Sequence, residues 1–251
     1  WGKPYLNLLK CFTQLFVQDA DSHALLLKHS IANSVVTGDT RFDRVAEIQQ
    51  AHKDILVVQR FIEGSDKVII AGSTWPKDEQ LLAQYMQTLE NRLDSNENIK
   101  LIIAPHEIDE KHMHFLFQLF KGRYVRYTQA NHISMQHMQV LIIDTIGLLS
   151  SIYQYGTAAY IGGGFGAGIH NSLEAAVYGI PVIWGPKYQR FREAKGLIQS
   201  GAAQSIANYK QLEMALDYAL NNHTEIGIKS AQYVQNELGA TDKLYNRLFK
   251  N

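Results

Sequence analysis

The densest chemical signal in the sequence is the run GGGFGAGIHN at 162–171, in which five of ten residues are glycine. A strand-like apolar segment precedes this run and a helical pattern follows it. Glycines allow close backbone approach and positive φ, so such a loop can wrap a phosphate or a sugar. Glu174 follows within the first turns of that helix, where a carboxylate can accept both hydroxyls of a ribose. The alternative is a glycine turn with a purely structural role.

Two familiar nucleotide-binding motifs do not describe this run. The chain contains no Gly-Lys-Ser/Thr sequence, which excludes the Walker pattern. The dinucleotide fingerprint belongs to the first strand of its fold, whereas this run comes late in the chain.

A second candidate loop is Gly72-Ser73-Thr74-Trp75-Pro76, which follows the strand-like segment KVIIA. Glycine suits a tight turn, Ser or Thr can cap a helix, and proline suits the first helical position. A helix N-terminus offers free backbone N–H groups and a positive dipole to an anion. An ordinary capped turn between strand and helix is the alternative.

Pro105-His106-Glu107 follows a third strand-like segment, IKLIIA. A histidine beside a carboxylate at a strand end can bind a sugar or phosphate, or shuttle protons. A surface histidine on a turn is the alternative. Together with His106, the histidines His112 and His114 have a spacing that resembles a set of metal ligands. The sequence indicates no clear geometry for a third ligand, and we predict no metal site.

The segment Gly185–Arg192 carries three cations, Lys187, Arg190 and Arg192, within six residues. It follows another strand, so it could close over an anionic ligand. A solvated helix face explains the same charges equally well.

Composition bounds the remaining possibilities. The chain has 251 residues, of which 46% are hydrophobic and 19% charged, an ordinary globular composition. Lys and Arg number 24, as do Asp and Glu, so the basic excess of a generic nucleic-acid binder is absent. A single cysteine, Cys11, excludes a disulfide scaffold and a multi-cysteine zinc site. No apolar stretch reaches membrane-spanning length.

The elements that must position these loops alternate between strand and helix. The predicted strands are Ser34–Thr37, Lys67–Ala71, Ile99–Ala104, Val140–Asp144, Ala158–Gly162 and Pro181–Trp184. The predicted helices are Lys77–Leu93, Glu110–Phe120, Leu148–Tyr155, Asn171–Tyr178 and Gln189–Gln199, with only helices after Tyr209. Continuous apolar strands indicate burial on both faces, hence a Rossmann-like, doubly wound parallel α/β sheet. Ligands of such sheets bind beyond the carboxyl ends of the strands, where the candidate loops lie.

The sequence begins with Trp1, and apolar residues with helical spacing follow at once. We interpret the chain as a fragment whose N-terminal portion is missing. A processed or tag-cleaved protein is the alternative.

The run GGGFGAGIHNSLEAAVYGIPVIWGP resembles the donor-binding half of GT-B glycosyltransferases, and more narrowly the 3-deoxy-D-manno-octulosonic acid (Kdo) transferase family. Further stretches resemble the same family: FVQDADSHALLLK, VTGDTRFDRV, AGSTWPKDE, LIIAPHEI and VLIIDTIGLLSSIYQYGTAAYIGGGF. They cover most of residues 10–200, and Gly239-Ala240-Thr241 resembles the family's C-terminus.

The resemblance implies two facing Rossmann-like domains with the donor in the cleft between them. Residues 1–58 would be the end of the N-terminal acceptor domain, 59–228 the donor-binding domain and 229–251 the C-terminal helices. Many members carry a basic residue between the positions of Pro105 and His106, and this chain lacks it. The implied donor-binding residues are Gly72, Ser73, Thr74, Pro105, His106, Glu107, Gly163, Gly164, Phe165, His170, Asn171 and Glu174.

The resemblance also implies the activity: inverting transfer of Kdo from CMP-Kdo to the lipid A precursor of lipopolysaccharide, without a metal or other cofactor. The family's general base, a glutamate near the start of the N-terminal domain, is not in this sequence, so we expect the chain alone to be soluble and inactive. Membrane contact at the cytoplasmic face of the inner membrane would use the missing N-terminal part. The alternatives are a UDP-sugar transferase or epimerase and a non-catalytic nucleotide-binding module.

Overall fold

The computed structural model describes residues 3–51, 53–92, 97–132, 135 and 137–250. Its strands are β1 Leu15–Val17, β2 Ser34–Val36, β3 Lys67–Thr74, β4 Ile99–Pro105, β5 Tyr124–Arg126, β6 Val140–Ile142, β7 Ala158–Ile161, β8 Val182–Trp184 and β9 Ala203–Ser205. Its α-helices are α1 Lys3–Leu9, α2 Ala20–Lys28, α3 Thr40–Gln50, α4 Leu56–Ile62, α5 Pro76–Glu90, α6 Glu110–Leu119, α7 Leu149–Ile152, α8 Leu173–Ala176, α9 Arg192–Gln199, α10 Tyr209–Asn221, α11 His223–Asn236 and α12 Ala240–Phe249.

Seven strands form one parallel sheet in the order β5-β6-β4-β3-β7-β8-β9. Every residue of β4, β6, β7 and β8 is buried, as expected of strands covered by helices on both faces. The core joins the central strands to α5, α6 and α10 through large side chains such as Tyr85, Leu82 and Leu216. The predicted Rossmann-like parallel sheet is confirmed.

The direction in which successive strands are added to the sheet reverses at its middle. From β3 the chain moves outward to β4, and it later returns to place β7 on the other side of β3. The loops that follow β3 and β7 therefore diverge from adjacent strands. Such a switch point leaves a crevice at the carboxyl edge of the sheet, which is the usual ligand site of this architecture.

All six predicted strands are present, within two or three residues of their predicted ends. Three short strands, β1, β5 and β9, escaped prediction; each is only partly buried, unlike the fully buried strands of the centre of the sheet. The predicted helices are also present, although Leu148–Tyr155 is a short α7 followed by a 3₁₀ turn and Asn171–Tyr178 is reduced to α8. The predicted end of the first of these helices, Leu93, lies outside the described residues.

The chain separates into two compact units, one of Ile48–Tyr233 and one that combines Trp1–Glu47 with Val234–Asn251. The larger unit holds the seven-stranded sheet. The smaller holds the parallel pair β1-β2, and in it the Asp43 carboxylate accepts the backbone N–H groups of Gly239 and Thr241, each at 2.7 Å. Among the described residues, no helix combines the length and apolar character needed to cross a bilayer.

Candidate functional site

Three aromatic side chains from three different loops meet at the carboxyl edge of the sheet. Trp75 follows β3, His106 follows β4 and His170 ends the glycine-rich loop after β7. The ring centroids of His106 and His170 are 4.2 Å apart and the rings are stacked, while Trp75 lies 4.8 Å from His106. We call Trp75, His106 and His170 the ring cluster. It brings together two of the predicted site residues, His106 and His170, and one that the sequence analysis did not include.

The ring cluster fixes the protonation of His170. Trp75 Nε1 donates a hydrogen bond to His170 Nε2 at 3.2 Å, and because an indole nitrogen can only donate, His170 Nε2 must be the acceptor. Burial lowers the pKa of His170, and the neighbouring His106 lowers it further. His170 is therefore held as the neutral ring with its proton on Nδ1.

Asp78, in the first turn of α5, joins the loops after β3 and β7. Its carboxylate accepts the backbone N–H groups of Trp75 and Gly163, each at 3.0 Å, and the Tyr160 hydroxyl at 2.7 Å. The side chain is fully buried. Burial raises the pKa of Asp78, although these three hydrogen bonds act in the opposite direction. Asp78 was not predicted from the sequence. The pattern that indicates it is an acidic side chain in the first turn of a helix that begins with proline.

The neighbouring Glu79 is hydrogen-bonded to Thr74 at the end of β3. Its carboxylate accepts a 2.8 Å hydrogen bond from the Thr74 hydroxyl and lies 2.8 Å from His112 Nε2. Burial raises the pKa of Glu79 despite these contacts. The Thr74 hydroxyl is thus turned into the protein, so that the phosphate contact predicted for Thr74 rests on its backbone.

His112 also belongs to the one group of potential metal ligands found among the described residues, together with Glu107 and Asp109. The ligand atoms of this group lie within 4.8 Å of one another. Asp109 already caps α6 by accepting the N–H groups of Lys111 and His112. We assign no metal to this group.

The glycines at 162 and 164 are required by close packing between loops. A Cβ atom at Gly162 would clash with the carbonyl oxygen of Ser73, and one at Gly164 would lie 2.6 Å from Cα of Gly185. The loop after β7 therefore packs backbone to backbone against the loops after β3 and β8. Phe165 packs against the core beside it.

Most backbone N–H groups of this loop are already bonded. Gly163 O accepts the N–H groups of Gly166 at 2.9 Å and Gly168 at 3.1 Å, and the N–H of His170 bonds to Gly162 O at 3.2 Å. Together with the bond from Gly163 to Asp78, these contacts make the loop a closed, rigid turn. The structural role of the glycines is confirmed, and the turn also carries His170 to the carboxyl edge, while the binding of a phosphate or sugar by this loop stays a prediction.

Glu174 and Asn171 form a polar pair just beyond the ring cluster. Asn171 Nδ2 donates to the Glu174 carboxylate at 2.9 Å, and Asn171 Oδ1 accepts the N–H of Leu173. Burial raises the pKa of Glu174, while the bond from Asn171 lowers it. A half-buried carboxylate with one oriented partner is suited to accept hydroxyl groups. The ribose role predicted for Glu174 stays a prediction.

The cation-bearing segment lies directly on the glycine-rich loop. Lys187 donates its backbone N–H to Gly164 O and its Nζ to Gly166 O, both at 2.9 Å. The Arg190 guanidinium lies against Gly168, where a Cβ atom would be 2.8 Å from the Arg190 side chain. Arg192 opens α9.

The remaining predicted residues lie along the same edge. Gly72 is buried near the end of β3, Ser73 has φ +52 at a bulge between β3 and β4, and Pro105 ends β4. Glu107 is exposed and lies with Asp109 and His112 instead of in the ring cluster. The binding roles of these residues stay predictions.

The fold belongs to the GT-B class. The crystal structure of the C-terminal CMP-Kdo binding domain of WaaA from Acinetobacter baumannii superimposes with a TM-score of 0.61 at 19% identity, over 77% of this chain and 97% of that one. A UDP-N-acetylglucosamine 2-epimerase superimposes with a TM-score of 0.63 at 12% identity, over 97% of this chain and 60% of that one. Similarity at these identities establishes the fold.

Sequence comparison finds a more specific similarity than the fold does. A protein of Rickettsia prowazekii (strain Madrid E), named 3-deoxy-D-manno-octulosonic acid transferase, is 25% identical over 245 residues, which are 92% of this chain and 49% of that protein. The chain thus spans about half the length of the curated relatives it matches. No protein-family model matches it. The resemblance to Kdo transferases is confirmed.

Proposed function

We propose that this chain is the donor-binding half of a glycosyltransferase that moves Kdo from CMP-Kdo to the lipid A precursor in lipopolysaccharide biosynthesis. The support is the similarity to proteins named as Kdo transferases along almost the whole chain. A solved CMP-Kdo binding domain has the same fold.

The structural observation that carries the proposal is the convergence of three loops at the switch point between β3 and β7. The ring cluster supplies flat surfaces and ring nitrogens, while Glu174 offers a hydrogen-bond acceptor. CMP-Kdo has a base to stack, a ribose to accept and two anionic groups, its phosphodiester and the Kdo carboxylate. The site therefore offers a counterpart for the base and for the ribose of this donor.

In this proposal Gly163, Gly164, Phe165, His170 and Asn171 bind the CMP portion, and Glu174 accepts the ribose hydroxyls. Gly72, Ser73 and Thr74 approach the phosphate, and Pro105, His106 and Glu107 line the nucleotide or Kdo pocket. The donor is the only small molecule required, because side-chain cations can offset the charge of departing CMP.

Transfer itself needs a base that deprotonates the acceptor hydroxyl and a second half that positions the acceptor. Positioning contributes much of the rate of a two-substrate reaction, and a general base adds about 10²–10⁴-fold. We therefore expect these 251 residues alone to bind donor without transferring Kdo. The complete enzyme would act at the cytoplasmic face of the inner membrane, where its lipid acceptor lies.

The competing function is that of a UDP-sugar transferase or epimerase, since such an epimerase shares the fold. Calorimetric titration with CMP, UDP and CMP-Kdo, the last generated in situ because it is labile, separates the two. We expect CMP and CMP-Kdo to bind more tightly than UDP. Equal or tighter binding of UDP would favour the competing function, and no binding of any nucleotide would reject both.

A further inference from the structure

The position of Arg190 suggests how the site recognises negative charge. Arg190 lies in the segment between β8 and α9, which is bonded to the glycine-rich loop at Lys187. Lys187 N–H donates to Gly164 O at 2.9 Å, and Ile169 N–H donates to Lys187 O at 3.3 Å. These two bonds place the segment directly beside the ring-bearing loop, three residues before Arg190.

The absence of a side chain at Gly168 leaves room for the Arg190 guanidinium. Its φ of +131 is a conformation that side chains with a Cβ rarely adopt. A Cβ at this position would lie 2.8 Å from Arg190 Nη2 and 3.0 Å from the Phe191 ring. Arg190 Cζ also lies 5.0 Å from the centroid of the Phe191 ring, a cation–π contact. The guanidinium thus packs against Gly168 and the Phe191 ring.

The N–H donors of Arg190 remain open. The side chain is exposed, and among the residues that the structure describes no carboxylate or carbonyl accepts a hydrogen bond from it. By contrast, Arg92 and Arg126 are each bonded to an acidic side chain of the same unit. A preorganised guanidinium with free donors matches the geometry of a phosphate or carboxylate.

The backbone near the site offers few free N–H groups to an anionic ligand, so a charged side chain is needed to bind it. The N–H groups of Gly163, Gly166, Gly168 and His170 are bonded within the protein. At α5, the N–H of Trp75 is bonded to Asp78, and two carboxylates in the first turn oppose the helix dipole. The side chains of Lys187 and Arg190, which contact Gly166 and Gly168, carry permanent positive charge at the loop.

We propose that Arg190 is an anion-recognising residue of this site and binds an oxyanion of the nucleotide-sugar donor, either its phosphate or its sugar carboxylate. Lys187 Nζ, bonded to Gly166 O, adds charge beside it. This proposal rests on the proposed function, because it assigns the charge recognition of the same donor site.

The test is calorimetric titration of wild type, Arg190→Gln and Arg190→Lys with cytidine, CMP and CMP-Kdo at two salt concentrations. Arg190→Gln should weaken binding of a charged ligand by about 10- to 100-fold and leave cytidine binding unchanged. The affinity of Arg190→Lys for a charged ligand should lie between those of wild type and Arg190→Gln, because lysine keeps the charge and loses the planar guanidinium. Added salt should weaken binding to the wild type more than to Arg190→Gln.

The ligands identify the oxyanion. A loss that is equal for CMP and CMP-Kdo assigns Arg190 to the phosphate, and a loss confined to CMP-Kdo assigns it to the sugar carboxylate. Arg60→Gln makes the same change of charge on an exposed residue of α4, which leads to the opposite edge of the sheet, and should bind as wild type does.

Two results overturn the proposal. If wild type binds CMP and CMP-Kdo and Arg190→Gln binds both equally well, Arg190 has no such role while the proposed function stands. If wild type binds no cytidine nucleotide, the proposed function fails and this assignment fails with it. Thermal melting of each variant checks the fold, which an exposed side chain should leave unchanged.

Discussion

The carboxylate of Asp78 and the backbone N–H of Gly163 form a 3.0 Å hydrogen bond that ties the two diverging loops of the switch point together. The same carboxylate accepts Trp75 N–H, so the two ring-bearing loops are set by one buried side chain. Asp78 is thereby a positioning residue for the ring cluster.

Replacing Asp78 should separate this role from simple packing. Asp78→Ala leaves two N–H groups and the Tyr160 hydroxyl without their partner, and should lower the free energy of unfolding by about 2–4 kcal/mol. In Asp78→Asn the amide oxygen can accept both N–H groups while the amide nitrogen donates to Tyr160 Oη. We expect that variant to lose less than about 1.5 kcal/mol and to keep nucleotide binding. Urea unfolding and CMP titration measure both quantities, and equal behaviour of the two variants would contradict the assignment.

Glu174 is predicted to accept the hydroxyls of the donor's ribose. Glu174→Ala should weaken CMP binding by about 1.5–3 kcal/mol, the range for hydrogen bonds to a charged group. The sharper readout is selectivity: wild type should prefer CMP over 2′-deoxy-CMP, and the variant should lose that preference. Glu225→Ala, at an exposed position of α11, is the control for lost charge. An unchanged affinity for CMP in Glu174→Ala would remove Glu174 from this role.

The stability of the protein should fall on acidification through His170. Burial and the neighbouring His106 lower its pKa below 6.5, so the folded state favours the neutral ring. The stabilisation is complete above the unfolded pKa near 6.5 and is lost as the pH falls through the folded value. His170→Gln keeps an acceptor for Trp75 Nε1 without titrating.

The difference in unfolding free energy between wild type and His170→Gln should therefore shrink between about pH 7.5 and pH 5, by at most about 1.4 kcal/mol per unit. Urea unfolding at several pH values measures this difference. The comparison of the two proteins removes the contributions of groups that do not contact position 170. A difference that is constant with pH would show that His170 is not held neutral.

The glycines of the loop after β7 should differ in their tolerance of alanine. A Cβ at Gly164 meets the backbone of Gly185 at 2.6 Å, so Gly164→Ala should cost about 1–3 kcal/mol or more. A Cβ at Gly166 meets only Gly163 O at 3.6 Å, an ordinary contact, and Gly166→Ala should stay within about 0.5 kcal/mol of wild type. Thermal unfolding compares the two variants. Similar costs would mean that the glycines are not set by loop packing.

The sequence by itself determined the fold class and the edge of the sheet at which the site lies. Apolar β-branched runs identified the central strands because burial on both faces leaves a continuous signal that a single sequence shows. The glycine run, His106 and His170 could likewise be singled out, since each follows a strand.

The tertiary structure decided which of these residues meet. Trp75, His106 and His170 are far apart in sequence, and only the strand order, which places β4 and β7 on either side of β3, brings their rings together. The role of Asp78 was hidden for the same reason, and so was the place of Arg190 on the glycine-rich loop, although the sequence already named Arg190 as a candidate cation for an anionic ligand. Asp78 acts through bonds to Gly163 and Tyr160, and Arg190 rests on Gly168, so both depend on contacts between distant segments that no local pattern encodes.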